Sequence, residues 1–134
     1  ALTAALEDPD RYVRRTATAV LAEIGPDAPA GVPALVRSLK DPEPTVRRGA
    51  AAALGEIGLG SKAVVAALTD GLQDREPDVR RGAALALREF GPEAKAAAPA
   101  LRDCLKDKDD AVRRAAARAL LLIDPRPARK TGQE

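Results

Sequence analysis

The chain has no histidine, no methionine and no tryptophan, one cysteine, and only two aromatic residues, Tyr12 and Phe90. Each gap excludes something. Without imidazole the commonest general base and most zinc or iron ligand sets are missing, and the lone thiol, Cys104, builds neither a thiolate cluster nor an internal disulfide. That thiol neither requires nor excludes an oxidising compartment. Long apolar runs are missing too: none approaches the ~18 to 20 residues that a membrane span needs, and no charged-then-apolar leader opens the chain. These gaps predict a soluble, cytoplasmic protein that is not an enzyme, with no catalytic residue, no metal site, no cofactor and no membrane partner. With 46% hydrophobic but 1% aromatic residues, its core must come from Ala, Leu, Val and Ile. The absent initiator Met, and a start partway through a repeat, predict an excerpt of a longer protein or a processed chain.

What is present is a period. Val13-Arg14-Arg15 returns as Val46-Arg47-Arg48, Val79-Arg80-Arg81 and Val112-Arg113-Arg114, each step being 33 residues. Self-similarity at a fixed period marks a solenoid or array. Within a unit, Val46, Ala50, Ala53, Leu54 and Ile57 fall at helical offsets and not at strand alternation. Asp10 can cap the first such helix, running to about Ile24, and Pro44 and Pro77 stand at first helical positions. Gly25-Pro26, Gly58-Leu59-Gly60 and Gly91-Pro92 end these helices. A shorter helix follows, over about 30–40, 62–73 and 96–106, with Leu35/Leu39, Leu68/Leu72 and Leu101/Leu105 on one face. Leu2 and Leu6 fall one period earlier, so the first unit is truncated. Stacked helix pairs of this kind predict an all-α, right-handed α-solenoid over residues 1–124, with about four units near 1–25, 26–58, 59–91 and 92–124. From Asp124 onward no apolar periodicity remains, which predicts fraying and a disordered basic tail over 125–134.

These residues resemble a known family. The Leu39-Lys40-Asp41 helix end, the Asp41-Pro42-Glu43-Pro44 turn and the Val46-to-Gly58 helix are similar to HEAT-like repeats, in the short form of the bilin-lyase-type HEAT proteins. Ankyrin repeats share the period but need a Thr-Pro-Leu-His turn, and tetratricopeptide repeats need Trp positions. The resemblance covers 1 to about 124 and says much about fold and little about function, since the family spans scaffolds, regulatory subunits, transport factors, some lyases and some DNA-binding enzymes. It implies that Asp8, Asp41, Asp74 and Asp107 with Arg14, Arg47, Arg80 and Arg113 form a structural ladder between adjacent units. It also implies that the Val-Arg-Arg helices line the concave side.

Other columns are candidates for binding. Arg15, Arg48, Arg81 and Arg114 stand near the positive end of a helix dipole, at a cost of roughly 0.3 to 1 kcal/mol, with no acid four residues on. They read either as a row lining one rim for carboxylate or phosphate, or as a solvated row paired loosely with neighbouring units. Thr16, Gly49, Gly82 and Ala115 form a column of small residues, explained by close helix approach or by a floor that admits a partner's backbone. Ala19, Ala52, Leu85 and Arg118 follow, then Glu23, Glu56, Glu89 and Leu122. The resulting groove has an arginine rim, a small apolar floor and a glutamate rim. It suits a protein segment better than a duplex, whose phosphates the glutamates would repel. Tyr12 is the one exposed aromatic anchor, while Phe90 shares a core column with Ile57 and Ile123. Leu121-Leu122 makes an apolar end that predicts further repeats, a partner or a second copy there.

Net charge is +2, with 16 basic and 18 acidic residues over 1–110 but 6 and 2 over 111–134, so only the end is basic. Gly58-Leu59-Gly60-Ser61-Lys62 lacks phosphate-loop spacing, and Ser61 reads as a helix cap. The leading reading is a non-catalytic scaffold that binds a peptide or protein segment on its concave face. Nucleic-acid or other polyanion binding through the arginine column and basic end, a regulatory or chaperone-like part of a lyase, and a designed scaffold of near-consensus repeats stay open.

Overall fold

The computed structural model describes residues 2–125, so the expected basic tail lies, Pro125 apart, outside the described residues. Among the described residues there are eight α-helices and no strand: α1 (Leu2–Ala5), α2 (Arg11–Ile24), α3 (Val32–Ser38), α4 (Pro44–Ile57), α5 (Lys62–Gly71), α6 (Pro77–Phe90), α7 (Ala98–Cys104) and α8 (Asp110–Ile123). The four long helices start for different local reasons. The Asp10 carboxylate accepts the Tyr12 N–H, and Asp109 accepts those of Ala111 and Val112. In α4 and α6 a proline takes the first position, where no donor is needed.

The connectors are less regular than the period suggests, and proline is the reason. Gly25, Gly58 and Gly91 all have positive φ (61°, 77° and 58°), the region open to glycine at a helix C-terminus. Gly58 is left-handed helical with ψ of 13°, whereas Gly25 and Gly91 swing to ψ of −133° and −138°. Both of the latter precede proline, which disfavours helical ψ in the residue before it. The Pro26 and Pro92 connectors then run through 3-10 turns, and α3 and α7 begin with Pro33 and Pro99 in the first turn. The middle unit has Leu59 and Ala66 at those positions. Free of proline, α5 extends to ten residues and is capped by Ser61, whose hydroxyl accepts the Val64 N–H at 3.3 Å. The outer helices are therefore shorter than expected, Val32–Ser38 and Ala98–Cys104 instead of 30–40 and 96–106.

Helices α2, α4, α6 and α8 lie side by side, each against the next, and α3, α5 and α7 form a second layer whose members barely touch one another. Ala50, Ala51, Ala53, Ala83, Ala84 and Ala86 are buried in the first layer, which lets its axes approach closely. One tight layer and one splayed layer bend the stack toward the tight side, giving an all-α solenoid with the long helices on the inner face. Between the layers sit Leu35, Leu54, Leu68, Leu87 and Leu101, all nearly inaccessible. Each contributes about 1.5–3 kcal/mol by burial. Phe90 is buried with Ile57 and Ile123.

One expectation is overturned. Asp124 does not fray: it is buried, its N–H bonds Leu120 O at 2.9 Å, and its carboxylate accepts Arg102 Nη2 at 2.5 Å. It stands where the other units have glycine, and with φ of −147° it folds back onto α7 instead of turning left-handed. Among the described residues no helix is long and apolar enough to cross a membrane.

Gly49 and Gly82 share a column but not an environment. A Cβ on Gly49 would overlap the Thr18 hydroxyl and come within 2.9 Å of Thr18 Cβ, whereas one on Gly82 would meet Ala51 Cβ at an ordinary 3.6 Å. Gly82→Ala is therefore expected to stabilise the protein by about 0.5–1 kcal/mol in urea unfolding. Gly49→Ala is expected to destabilise it by about 1–3 kcal/mol. Adding Thr18→Ala should recover only part of that loss, because the close Cβ remains.

Candidate functional site

Consecutive residues on a helix point about 100° apart, so an Arg-Arg pair serves two faces at once. The first arginine of each pair builds a rung between units. Arg14 donates from Nε to Asp41 Oδ2 (2.8 Å) and from Nη2 to Asp41 Oδ1 (3.1 Å), with Nη1 held by the Asp8 carbonyl (2.8 Å). Arg47 repeats this with Asp74 at 2.7 and 3.0 Å, and Arg80 with Asp107 at 2.8 and 3.0 Å. In each rung the carboxylate lies 27 residues ahead, in the following unit, while the Asp six residues back supplies only a backbone carbonyl. The same carboxylates accept the N–H two residues on, at Glu43, Glu76 and Asp109. Asp8 and Arg113, at the two ends, complete no rung among the described residues. The Arg80 guanidinium, by hydrogen bond, holds the Asp107 carboxyl below the usual carboxylate range against a smaller opposing effect of burial.

The second arginine faces the inner surface. On α4, Arg48, Ala52 and Glu56 follow at four-residue steps and are exposed on one stripe, as are Arg15, Ala19 and Glu23 on α2 and Arg81, Leu85 and Glu89 on α6. Across α2, α4 and α6 these stripes line a groove of about 760 Å³. Eight residues separate each arginine from its glutamate, so the two edges stand ~12 Å apart along the helix axes. Arg15, Arg48 and Arg81 line one edge, Glu56 and Glu89 the other, with Gly49, Gly82 and Leu85 between them. Glu23, Tyr12, Arg114 and Arg118 do not line it. Tyr12 is exposed and lies beneath the guanidinium carbons of Arg11 and Arg15, 5.3 and 5.7 Å from its ring centre.

The arginine row is not free of partners, although none of its members has an acid four residues on. Arg48 reaches Asp78 of the next unit at 4.0 Å, and Arg114 pairs with Asp110, one turn back on α8. Among the described residues Arg81 alone of the four has no ion pair or ring partner. Seven residues that line the groove lie outside the candidate columns, and three of them, Thr45, Asp78 and Arg88, change its polar character. Thr45 and Asp78 belong to the Tyr12 column, and Asp78 places a carboxylate inside the arginine edge. Arg88 puts a positive charge beside Glu89, visible in sequence only as one residue's offset from the glutamate column. The small column divides by position: at Gly49 the place of a Cβ is filled by Thr18 of the preceding helix, while at Gly82 a Cβ would make only ordinary contacts with Ala51 and Arg48.

Elsewhere the chemistry is sparse. Cys104 is buried with its sulfur 3.9 Å from the Leu72 carbonyl, and burial pushes its thiol pKa up. No thiol, imidazole or lysine amine lines the groove. Among the described residues no three His, Cys, Asp or Glu side chains stand together as a metal site.

Comparison with known proteins gives a consistent picture. The family described as HEAT repeats matches residues 1–88 and 65–129. No curated protein matches the chain. Among solved structures, an engineered protein is 28% identical with a TM-score of 0.74, over 89% of this chain and 59% of its own. A designed armadillo repeat protein in complex with the peptide (KR)4 is 21% identical with a TM-score of 0.78, over 92% of this chain and 63% of that one. Human deoxyhypusine hydroxylase is 26% identical with a TM-score of 0.70, over 90% of this chain and 41% of that one. The chain thus spans about three fifths of the first two and two fifths of the third.

The rungs generate two expectations. Asp74→Asn keeps the acceptor for Glu76 N–H but turns an amide toward Arg47, whose side chain is 6% exposed, and should cost about 3 kcal/mol in urea unfolding. Glu7→Gln, which breaks an exposed pair with Arg37, should cost less than about 1 kcal/mol. The Asp107 carboxyl has a lower pKa folded than unfolded, so its contribution is complete above the ordinary carboxylate pKa and is lost as pH falls through the folded value. Stability measured between about pH 2 and 5 should therefore fall less steeply in Asp107→Asn than in the wild type.

Proposed function

Because the chain belongs to the HEAT-repeat family, we propose that it is a non-catalytic scaffold that grips an extended protein segment on its inner face, acidic side chains toward the arginine edge and basic ones toward the glutamate edge. One observation carries this reading: Arg15, Arg48 and Arg81 face Glu56 and Glu89 across one continuous groove with a small apolar floor. Opposed charge rows orient a segment that alternates in sign and disfavour a polyanion, which the glutamates repel. A separation of ~12 Å admits one extended chain, or one helix of ~10–12 Å diameter. Leu85, 38% exposed, offers the floor an apolar contact, and Gly82, with no side chain of its own, keeps the floor beside it low.

Arg48 contributes to that edge despite Asp78. Their side chains are 48% and 68% exposed, and an exposed pair at 4.0 Å is worth no more than ~1 kcal/mol, which an incoming carboxylate readily replaces. Arg88 and Asp78 each place one charge of the opposite sign within an edge, so the groove discriminates by pattern and not by net charge. The designed armadillo protein with its peptide shares the fold, which shows that this architecture accommodates a bound chain in that protein.

A fluorescent peptide of alternating glutamate and lysine is expected to bind, and fluorescence polarisation measures it. Arg48→Glu with Arg81→Glu should weaken that binding by about tenfold or more, and so should Glu56→Lys with Glu89→Lys. Equal affinity for all three proteins would overturn the reading. A single-stranded oligonucleotide bound more tightly than the peptide, with a salt slope near one per phosphate contact, would replace it with polyanion binding.

A further inference from the structure

The inner groove sets a spacing as well as a charge pattern. A Cβ on Gly55 of α4 would come within 3.0 Å of Ala86 Cα on α6, a contact that only close-packed backbones make. With Cα atoms ~2.3 Å from a helix axis, it holds the two axes about 8–9 Å apart, the short end of the helix-packing range. A Cβ on Gly49 would stand 2.9 Å from Thr18 Cβ, so α2 and α4 are close too. Each of the three helices contributes one arginine to the same edge, Arg15, Arg48 and Arg81, and α4 and α6 contribute Glu56 and Glu89 to the other. Charges of one sign therefore recur every ~8–9 Å along a path that crosses the helices.

That step discriminates among backbone conformations. A β-strand returns a side chain to the same face every two residues, or ~6.7 Å, and slips by ~4 Å over the three arginines; three β residues span ~10 Å but end on the opposite face. An α-helix repeats a face every ~5.4 Å, and its ~10–12 Å diameter fills the whole distance between the edges. Polyproline II returns to the same face every three residues, after ~9.3 Å. Its three faces, a third of a turn apart, also match the three surfaces of the groove: one toward the arginines, one toward the glutamates and one down on the floor. Gly49, Ala52 and Gly82 keep that floor low, and the exposed Leu85 gives a proline ring an apolar seat.

We propose that the groove takes a polyproline II segment with a three-residue charge period: an acidic residue toward the arginine edge, a basic one toward the glutamate edge, and proline on the floor. This rests on the inner face being the binding surface, and adds the conformation and period of what binds there. Polyproline II makes no internal hydrogen bonds, and proline-rich sequences hold it when free, so such a segment arrives ordered and loses less freedom on binding. The orders Pro-Glu-Lys and Pro-Lys-Glu both satisfy the three surfaces, running in opposite directions across the helices.

Fluorescence polarisation with three labelled peptides of equal length tests this: three Pro-Glu-Lys triplets, the same residues scrambled so that no charge recurs every third position, and alternating glutamate and lysine. The triplet peptide is expected to bind about fivefold or more tighter than either of the others. Glycine in place of each proline keeps the charge period but removes the preformed conformation, and should weaken the triplet peptide by about threefold or more. Leu85→Ala should weaken the triplet peptide more than the alternating one, and Arg48→Glu with Arg81→Glu should abolish the preference between them. An alternating peptide that binds as tightly as the triplets, and is weakened by the arginine reversals, would overturn the three-residue period and leave the groove as the binding surface. A triplet preference that survives those reversals would overturn the period as a property of this groove. Failure of every peptide to bind would overturn both readings.

Discussion

The molecule depends on a guanidinium held from two sides. Behind it lies the carbonyl of its own turn, which fixes the side chain before any neighbour is considered; ahead lies a carboxylate of the following unit, met by two parallel hydrogen bonds. Planar forks of this kind specify direction as well as distance. A rung of this geometry therefore sets the offset and rotation of one unit on the next, and three similar rungs set the same step three times. Buried ion pairs are poor sources of net stability, because the charges must leave water. Here they serve register, while alanine, leucine and valine supply the burial.

That division of labour explains how much of the fold was legible. The helices were readable from the spacing of Val46, Ala50, Leu54 and Ile57, and the solenoid from the exact return of Val-Arg-Arg, because burial and period are properties of residues in a row. The connectors were harder. Gly25, Gly58 and Gly91 look equivalent in a column, yet the residue after each decides its ψ, and the loss of two prolines in the middle unit lets α5 grow by a turn. Asp124 was misread for a related reason: a polar residue after the last apolar one looks like the start of a tail, and nothing in the row shows that Arg102 lies within reach.

The groove was legible in outline and not in detail. Steps of four residues place Arg48, Ala52 and Glu56 on one stripe whatever surrounds them. Which arginines find partners is decided by contacts across units or backward along a helix, as for Asp78 with Arg48 and Asp110 with Arg114, and scanning forward from each arginine misses both. Gly49 and Gly82 make the same point. Their difference is one side chain on a neighbouring helix, Thr18 against Ala51, and it turns one position into a tight joint and leaves the other room for a methyl group.

The placement of Tyr12 has a practical consequence. It is the only phenol, no indole exists, and it sits 58% exposed at one extremity beneath two cations. Intrinsic ultraviolet fluorescence from this molecule thus reports the outermost turn of α2 and is blind to the interior. A tryptophan introduced into any chosen layer would be seen against a dark background, so the order in which layers melt can be recorded one layer at a time.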